Sequence, residues 1–185
     1  SPQTIYAASN STGMWKSTNS GANWVQINTG LSNLILQCVA VSPTNANVVM
    51  CGSTNTGTNP GVYRSSDGGS NWTRVVTGIT ETNINIQALA IDPVNPNTAY
   101  CTLFDGTTNS PNGLYKTTNG GTLWVPITTG IGTIKNFLAV AVNPLNANVV
   151  YAGTSFDPLT STGPSKVYKS VNGGSSWTEI SNGLP

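Results

Sequence analysis

The chain has 185 residues, enough for one domain with a sizeable core. Only 7% of them are charged and the net charge is +1, so the basic stripe of a nucleic-acid binder is missing. The longest apolar run, Phe137 to Val142, is strand-sized, which argues against membrane insertion. Ser, Thr, Asn and Gly fill most of the rest, and a surface solubilised by hydroxyls and amides points to an extracellular or cell-surface setting. No signal peptide opens the chain, and Ser1 reads as an internal cut.

The first segment, Thr4 to Ala7, reads as a strand, and a polar loop leads to another at Met14 to Lys16. Ser17 to Trp24 (STNSGANW) then forms a glycine-containing turn before a short strand, Val25 to Ile27. Next comes Leu36 to Val41, where large residues alternate with small ones and both faces are apolar. That pattern predicts a strand buried on both sides.

From here the order recurs. A turn at Ser42 to Asn45 precedes strands at Val48 to Cys51 and Val62 to Arg64, the turn Ser65 to Trp72 (SSDGGSNW) and the strand Thr73 to Val75. A third pass runs through Ile86 to Ile91, Thr98 to Cys101, Leu114 to Lys116, Thr117 to Trp124 (TTNGGTLW) and Val125 to Ile127. The fourth takes Leu138 to Val142, Val149 to Ala152, Val167 to Lys169, Ser170 to Trp177 (SVNGGSSW) and Thr178 to Ile180. The closing tryptophans lie 48, 52 and 53 residues apart, so one supersecondary unit is repeated.

Each unit has four strands. The last carries Gln26, Arg74, Pro126 or Glu179 at its middle, residue types that protect an edge from pairing with other chains. The alternating strand is therefore innermost and the strand after the turn outermost. A meander of that kind is a propeller blade, and the fold class is all-β, a β-propeller of four-stranded antiparallel blades. The blades fall at about 1–30, 31–79, 80–131 and 132–185 of a single domain or propeller segment. Fifteen strands are present where four blades need 16, and the missing one is an inner strand. Two readings stand side by side: a four-bladed ring completed by a strand from elsewhere, or a segment of a larger propeller. The first would leave a slot for strand addition from a linker or a neighbouring copy.

The eight-residue box resembles the Asp-box, or bacterial neuraminidase repeat, of β-propeller proteins. The whole repeat looks most like secreted propellers of the xyloglucan-hydrolase, sortilin and photosystem-assembly-factor kind. The boxes are marked by Asn19 and Trp24, Asp67 and Trp72, Asn119 and Trp124, and Asn172 and Trp177, so only Asp67 carries the residue that names the family. The resemblance implies that the box is a structural turn away from any active site. It also raises the question of sialidase activity, which in such enzymes uses three arginines; this chain has two, Arg64 and Arg74.

A two-carboxylate glycosidase needs an acid and a base in one cleft. Asp67, Asp92 and Glu179 read as turn and edge residues, leaving Glu81, Asp105 and Asp157 in loops. The longest loops also hold Phe104 and Phe156, so Phe104, Asp105, Phe156 and Asp157 are the candidate ligand residues, for a glycan or a peptide. Solvated carboxylates and rings packed under their own loops are the plainer reading. The recurring Lys16, Arg64, Lys116 and Lys169 read as a structural column with packed stems. Asn10 and Asn71 sit in glycosylation sequons. Cys38, Cys51 and Cys101 occupy small apolar positions and read as buried thiols; a Cys38–Cys51 disulfide across one hairpin is the alternative. With no His and no C-x-x-C, no metal or cofactor is expected. The reading as a whole is a non-catalytic extracellular building block of a surface or fibre-forming protein, whose partners are its own copies or adjoining segments. A glycan- or peptide-binding propeller is the alternative, and a fragment of a glycoside hydrolase stands behind both.

Overall fold

Period-2 alternation and glycine-rich turns fold into four antiparallel sheets in a computed structural model, which describes residues 3–81, 83–104, 113–132, 136–154 and 165–184. The first sheet has three strands, β1 (Ile5–Ser9), β2 (Gly13–Ser17) and β3 (Val25–Gln26). The second has four: β4 (Leu36–Val41), β5 (Val49–Ser53), β6 (Val62–Ser65) and β7 (Thr73–Arg74). The third comprises β8 (Ile86–Ile91), β9 (Ala99–Leu103), β10 (Leu114–Thr117) and β11 (Val125–Pro126). The fourth comprises β12 (Phe137–Val142), β13 (Val150–Thr154), β14 (Val167–Ser170) and β15 (Thr178–Glu179). Within each sheet the spatial order follows the chain, so every sheet is a meander and a propeller blade. Among the described residues, blade 1 is the one without an inner strand.

The inner strands stand side by side. β4 packs on β8 and β8 on β12, while β1 packs on β4. Trp24 of blade 1 and Ile180 of blade 4 are both exposed, so the described blades form an open arc. In β4, β8 and β12 alike the register slips by one after the first residue, at Leu36/Cys38, Ile86/Ala88 and Phe137/Ala139. These bulges bend each inner strand at the same height.

Burial corrects one expectation. The inner strands are not the most buried: most of β4 and β8 is half-exposed, whereas every residue of β5 and β9 is buried. An inner strand has one edge on the central axis, while the second strand is flanked by strands on both edges and by sheets on both faces. The outer strands are exposed throughout, as edge protection requires. Their polar side chains fold back over the blade. Arg74 donates twice to the Pro60 carbonyl at 3.1 and 2.6 Å, and Glu179 pairs with Lys166 at 2.7 Å.

The core lies between blades, not within them. One cluster joins Tyr6, Met14 and Ile27 of blade 1 to Val49, Tyr63 and Trp72 of blade 2. A second spans blades 2 and 3 around Trp124, and a third spans blades 3 and 4 around Trp177. The cysteines belong to these layers. Cys38 lies opposite Gly52 and Cys51 opposite Val39, so their side chains leave the sheet on opposite faces. The Cys38–Cys51 disulfide therefore does not form, and all three cysteines are free. Burial pushes the Cys38 thiol up to about 12 and those of Cys51 and Cys101 well above the usual range, which keeps them unreactive.

Candidate functional site

The four boxes share one hydrogen-bond scheme. In blade 2 the Ser65 hydroxyl donates to Asp67 Oδ1 at 2.8 Å and accepts from the Gly69 amide at 2.8 Å. Asp67 Oδ1 then accepts from the Asn71 amide at 2.9 Å. Ser17, Thr117 and Ser170 repeat this with Asn19, Asn119 and Asn172. The shared acceptor is one amide or carboxylate oxygen, which is why Asn serves where the family name says Asp. The extra oxygen of Asp67 accepts from Asn71 Nδ2 at 2.8 Å, and that bond, with the Asn71 amide and Ser65, holds the carboxyl down to about 2. The hydroxyl at the head of the box was missed in the sequence, although its invariable Ser/Thr identity was the available signal.

The box also builds the blade junctions. The indole N–H of Trp72 donates to the Ile27 carbonyl at 2.8 Å, Trp124 to Val75 at 2.9 Å and Trp177 to Ile127 at 2.7 Å. Their backbone amides donate to the carbonyls of Thr29, Thr77 and Thr129. The glycine that follows each threonine, Gly30, Gly78 or Gly130, has positive φ, and a Cβ there would overlap the tryptophan's own carbonyl oxygen. Ile27, Val75 and Ile127 in turn press on the second box glycine, Gly69, Gly121 or Gly174, leaving no room for a side chain. The basic column completes the contact. Lys16 Nζ donates to the Gly68 carbonyl at 2.8 Å and Lys116 Nζ to Gly173 at 2.7 Å, each lying 5.5 Å from the ring of Tyr6 or Tyr100. The tyrosine hydroxyls reach the same carbonyls at 3.0 Å. Burial lowers the pKa of Lys116 and is the main cause that pushes Tyr100 up to about 12.

Two faces of this kind stand uncovered. Trp24 closes the first box but is 39% exposed, against 4%, 1% and 5% for Trp72, Trp124 and Trp177. At the far end Ile180 is 44% and Leu184 52% exposed, although their counterparts Ile27, Val75 and Ile127, and Leu31, Ile79 and Ile131, pack into the inter-blade clusters. A Cβ on Gly183 would meet nothing within 4 Å.

Of the candidate ligand residues, Phe104 is half-buried and its amide donates to the Asn85 carbonyl at 3.0 Å; Asp105, Phe156 and Asp157 lie outside the described residues. The four described carboxylates all have structural partners. Glu81 is buried and accepts the Tyr115 hydroxyl at 2.6 and 2.5 Å, and Asp92 accepts the amides of Val94 and Asn95 at 2.8 and 3.0 Å. Asp67 and Glu179 are held as above. Among the described residues no cluster of His, Cys, Asp or Glu is arranged to hold a metal ion. Asn10 and Asn71 are exposed, and a sugar on Asn71 would compete with its bond to Asp67.

The resemblance read from the boxes extends to three dimensions. A solved ancestral GH74 enzyme covers 97% of this chain at a TM-score of 0.74 with 28% identity. A GH74 xyloglucanase from Xanthomonas campestris covers 96% at 0.70 with 19% identity, and YCF48 from Cyanidioschyzon merolae covers 78% at 0.52 with 20% identity. This chain spans only 23%, 28% and 36% of those three chains. No protein-family model and no curated protein matches it. These likenesses and the four sheets establish a β-propeller array.

Proposed function

We propose that this blade array is a non-catalytic, extracellular building block of a surface or fibre-forming protein and works by associating with copies of itself or adjoining segments. One observation carries the reading. Trp24, Ile180 and Leu184 are exposed at positions whose counterparts are buried, for the tryptophan, or partly buried and packed, for the other two, wherever two blades meet. Exposed apolar surface in a defined pattern marks an interaction face. The hydroxyl- and amide-rich surface supports an extracellular setting. Sedimentation velocity over a concentration series is the direct test. The expected result is mass increasing with concentration; a monomer throughout would refute it.

The 28% identity to an ancestral GH74 enzyme favours a second reading, a segment of a glycoside hydrolase. Asp105 and Asp157 would then be its acid and base, with Phe104 and Phe156 as a sugar platform. Incubation with xyloglucan separates the two readings. Released oligosaccharide, lost in Asp105→Asn and Asp157→Asn, would establish the hydrolase. Binding without turnover would establish a glycan-binding propeller.

A further inference from the structure

We infer that the blade 4 face of one copy receives the blade 1 face of a second copy, head to tail, in the register of the internal junctions. This deepens the self-association reading and rests on it. The occupant follows from the three junctions within the chain, where the box of one blade already meets the outer-strand turn of the blade before it.

The box on one face and the outer-strand turn on the other are present, and among the described residues neither has an occupant. On the blade 1 side Trp24 offers an indole N–H and a backbone amide, and Gly21 offers an uncrowded glycine, with only Trp24 and Ile5 atoms at 3.9 and 4.0 Å from a built Cβ. On the blade 4 side the Ile180 carbonyl takes the place of those of Ile27, Val75 and Ile127, and the Asn182 carbonyl that of Thr29, Thr77 and Thr129. Gly183 has the same positive φ, +88°, as Gly30, Gly78 and Gly130 at +90°, +91° and +85°, and so provides the same cleft for a tryptophan backbone. The Ile180 side chain would fill the space over Gly21, as Ile27 does over Gly69. Lys169 already lies 5.8 Å from the Tyr151 ring, matching Lys16 on Tyr6 and Lys116 on Tyr100 at 5.5 Å. In the docked pair both would reach the carbonyl of Ser20, which occupies the position of Gly68 and Gly173.

The two faces differ from each other, so the contact is heterologous and extends to a ring or a filament of copies. Where blade 1 docks on blade 2 the inner strand, β4, comes from blade 2; the blade 1 face brings none, so the contact between copies runs through the box, its tryptophan and the turn after the outer strand.

The test uses the 185-residue chain, Trp24→Ala, Ile180→Glu and an equimolar mixture of the two variants, all by sedimentation velocity. Both side chains are exposed, so the variants fold, which circular dichroism checks. Each variant alone should associate at least about tenfold more weakly, the loss expected for a central anchor. The mixture retains one intact pair of faces and should stop at dimers. Association of both variants at the parent level would refute this interface while leaving self-association standing. A parent chain that stays monomeric would refute both. A monomer destabilised by Trp24→Ala would show closure within one copy and overturn the second-copy assignment.

Discussion

Trp124 and Trp24 close equivalent turns, yet one is 1% exposed and the other 39%. Their own sheets treat them alike: each follows the same Ser/Thr–Asx hydrogen bonds and precedes an exposed outer strand. What differs is the neighbouring blade. In an array of this kind burial belongs to the junction, and stability approaches a sum over blades and nearest-neighbour contacts.

The largest expected contrast comes from truncating the two tryptophans. Trp124→Ala should cost about 3–5 kcal/mol in urea-unfolding free energy, and Trp24→Ala in dilute solution no more than about 0.5 kcal/mol. Equal losses would mean that the blades are held together by something other than the indoles. Alanine at the paired glycines should divide the molecule in the same way. Gly78→Ala meets the Trp124 carbonyl and should lose at least about 2 kcal/mol, while Gly183→Ala meets open space and should lose about 1 kcal/mol from its positive φ alone. A Gly183→Ala loss as large as that of Gly78→Ala would show the far face to be occupied.

Ser20 offers a gain. It sits at φ +58° where the other boxes carry glycine, so Ser20→Gly should raise the unfolding free energy by about 1 kcal/mol. A loss instead would indicate that the Ser20 side chain has a partner. The smallest effect concerns acid. Asp67 has a folded pKa lowered from 3.8 to about 2, so its contribution is present above its unfolded value and fades as pH falls through about 2. Glu179, lowered by Lys166, titrates in the same sense and stays unchanged in the comparison. Asp67→Asn should therefore show a slightly flatter decline in urea midpoint between about pH 5 and pH 2 than the parent. Identical pH profiles would remove the carboxylate from the stability of that turn.

Strand order, blade phase and edge strands were legible because period, small/large alternation and residues such as Pro126 are local signals. The inner-strand bulges were not: Gln37, Gln87 and Leu138 share no chemistry that marks a slipped register. The basic column was read correctly as structural, but its acceptor, a carbonyl of the next blade some 52 residues away for Lys16, leaves no trace in local sequence. The burial of β5 and β9 above that of the inner strands depends on how sheets surround each other, which alternation cannot report. The uncovered faces were invisible for the same reason, since Ile180 and Ile127 are identical residues in identical positions. Of the ligand candidates only Phe104 falls among the described residues.

The box's use of a single acceptor oxygen has a consequence for growth. Three of the four turns are closed by a neutral amide, and the whole chain carries a net charge of +1. Joining copies end to end would therefore add almost no Coulomb repulsion per blade, and the length such an assembly reaches should respond little to salt or to mild acid.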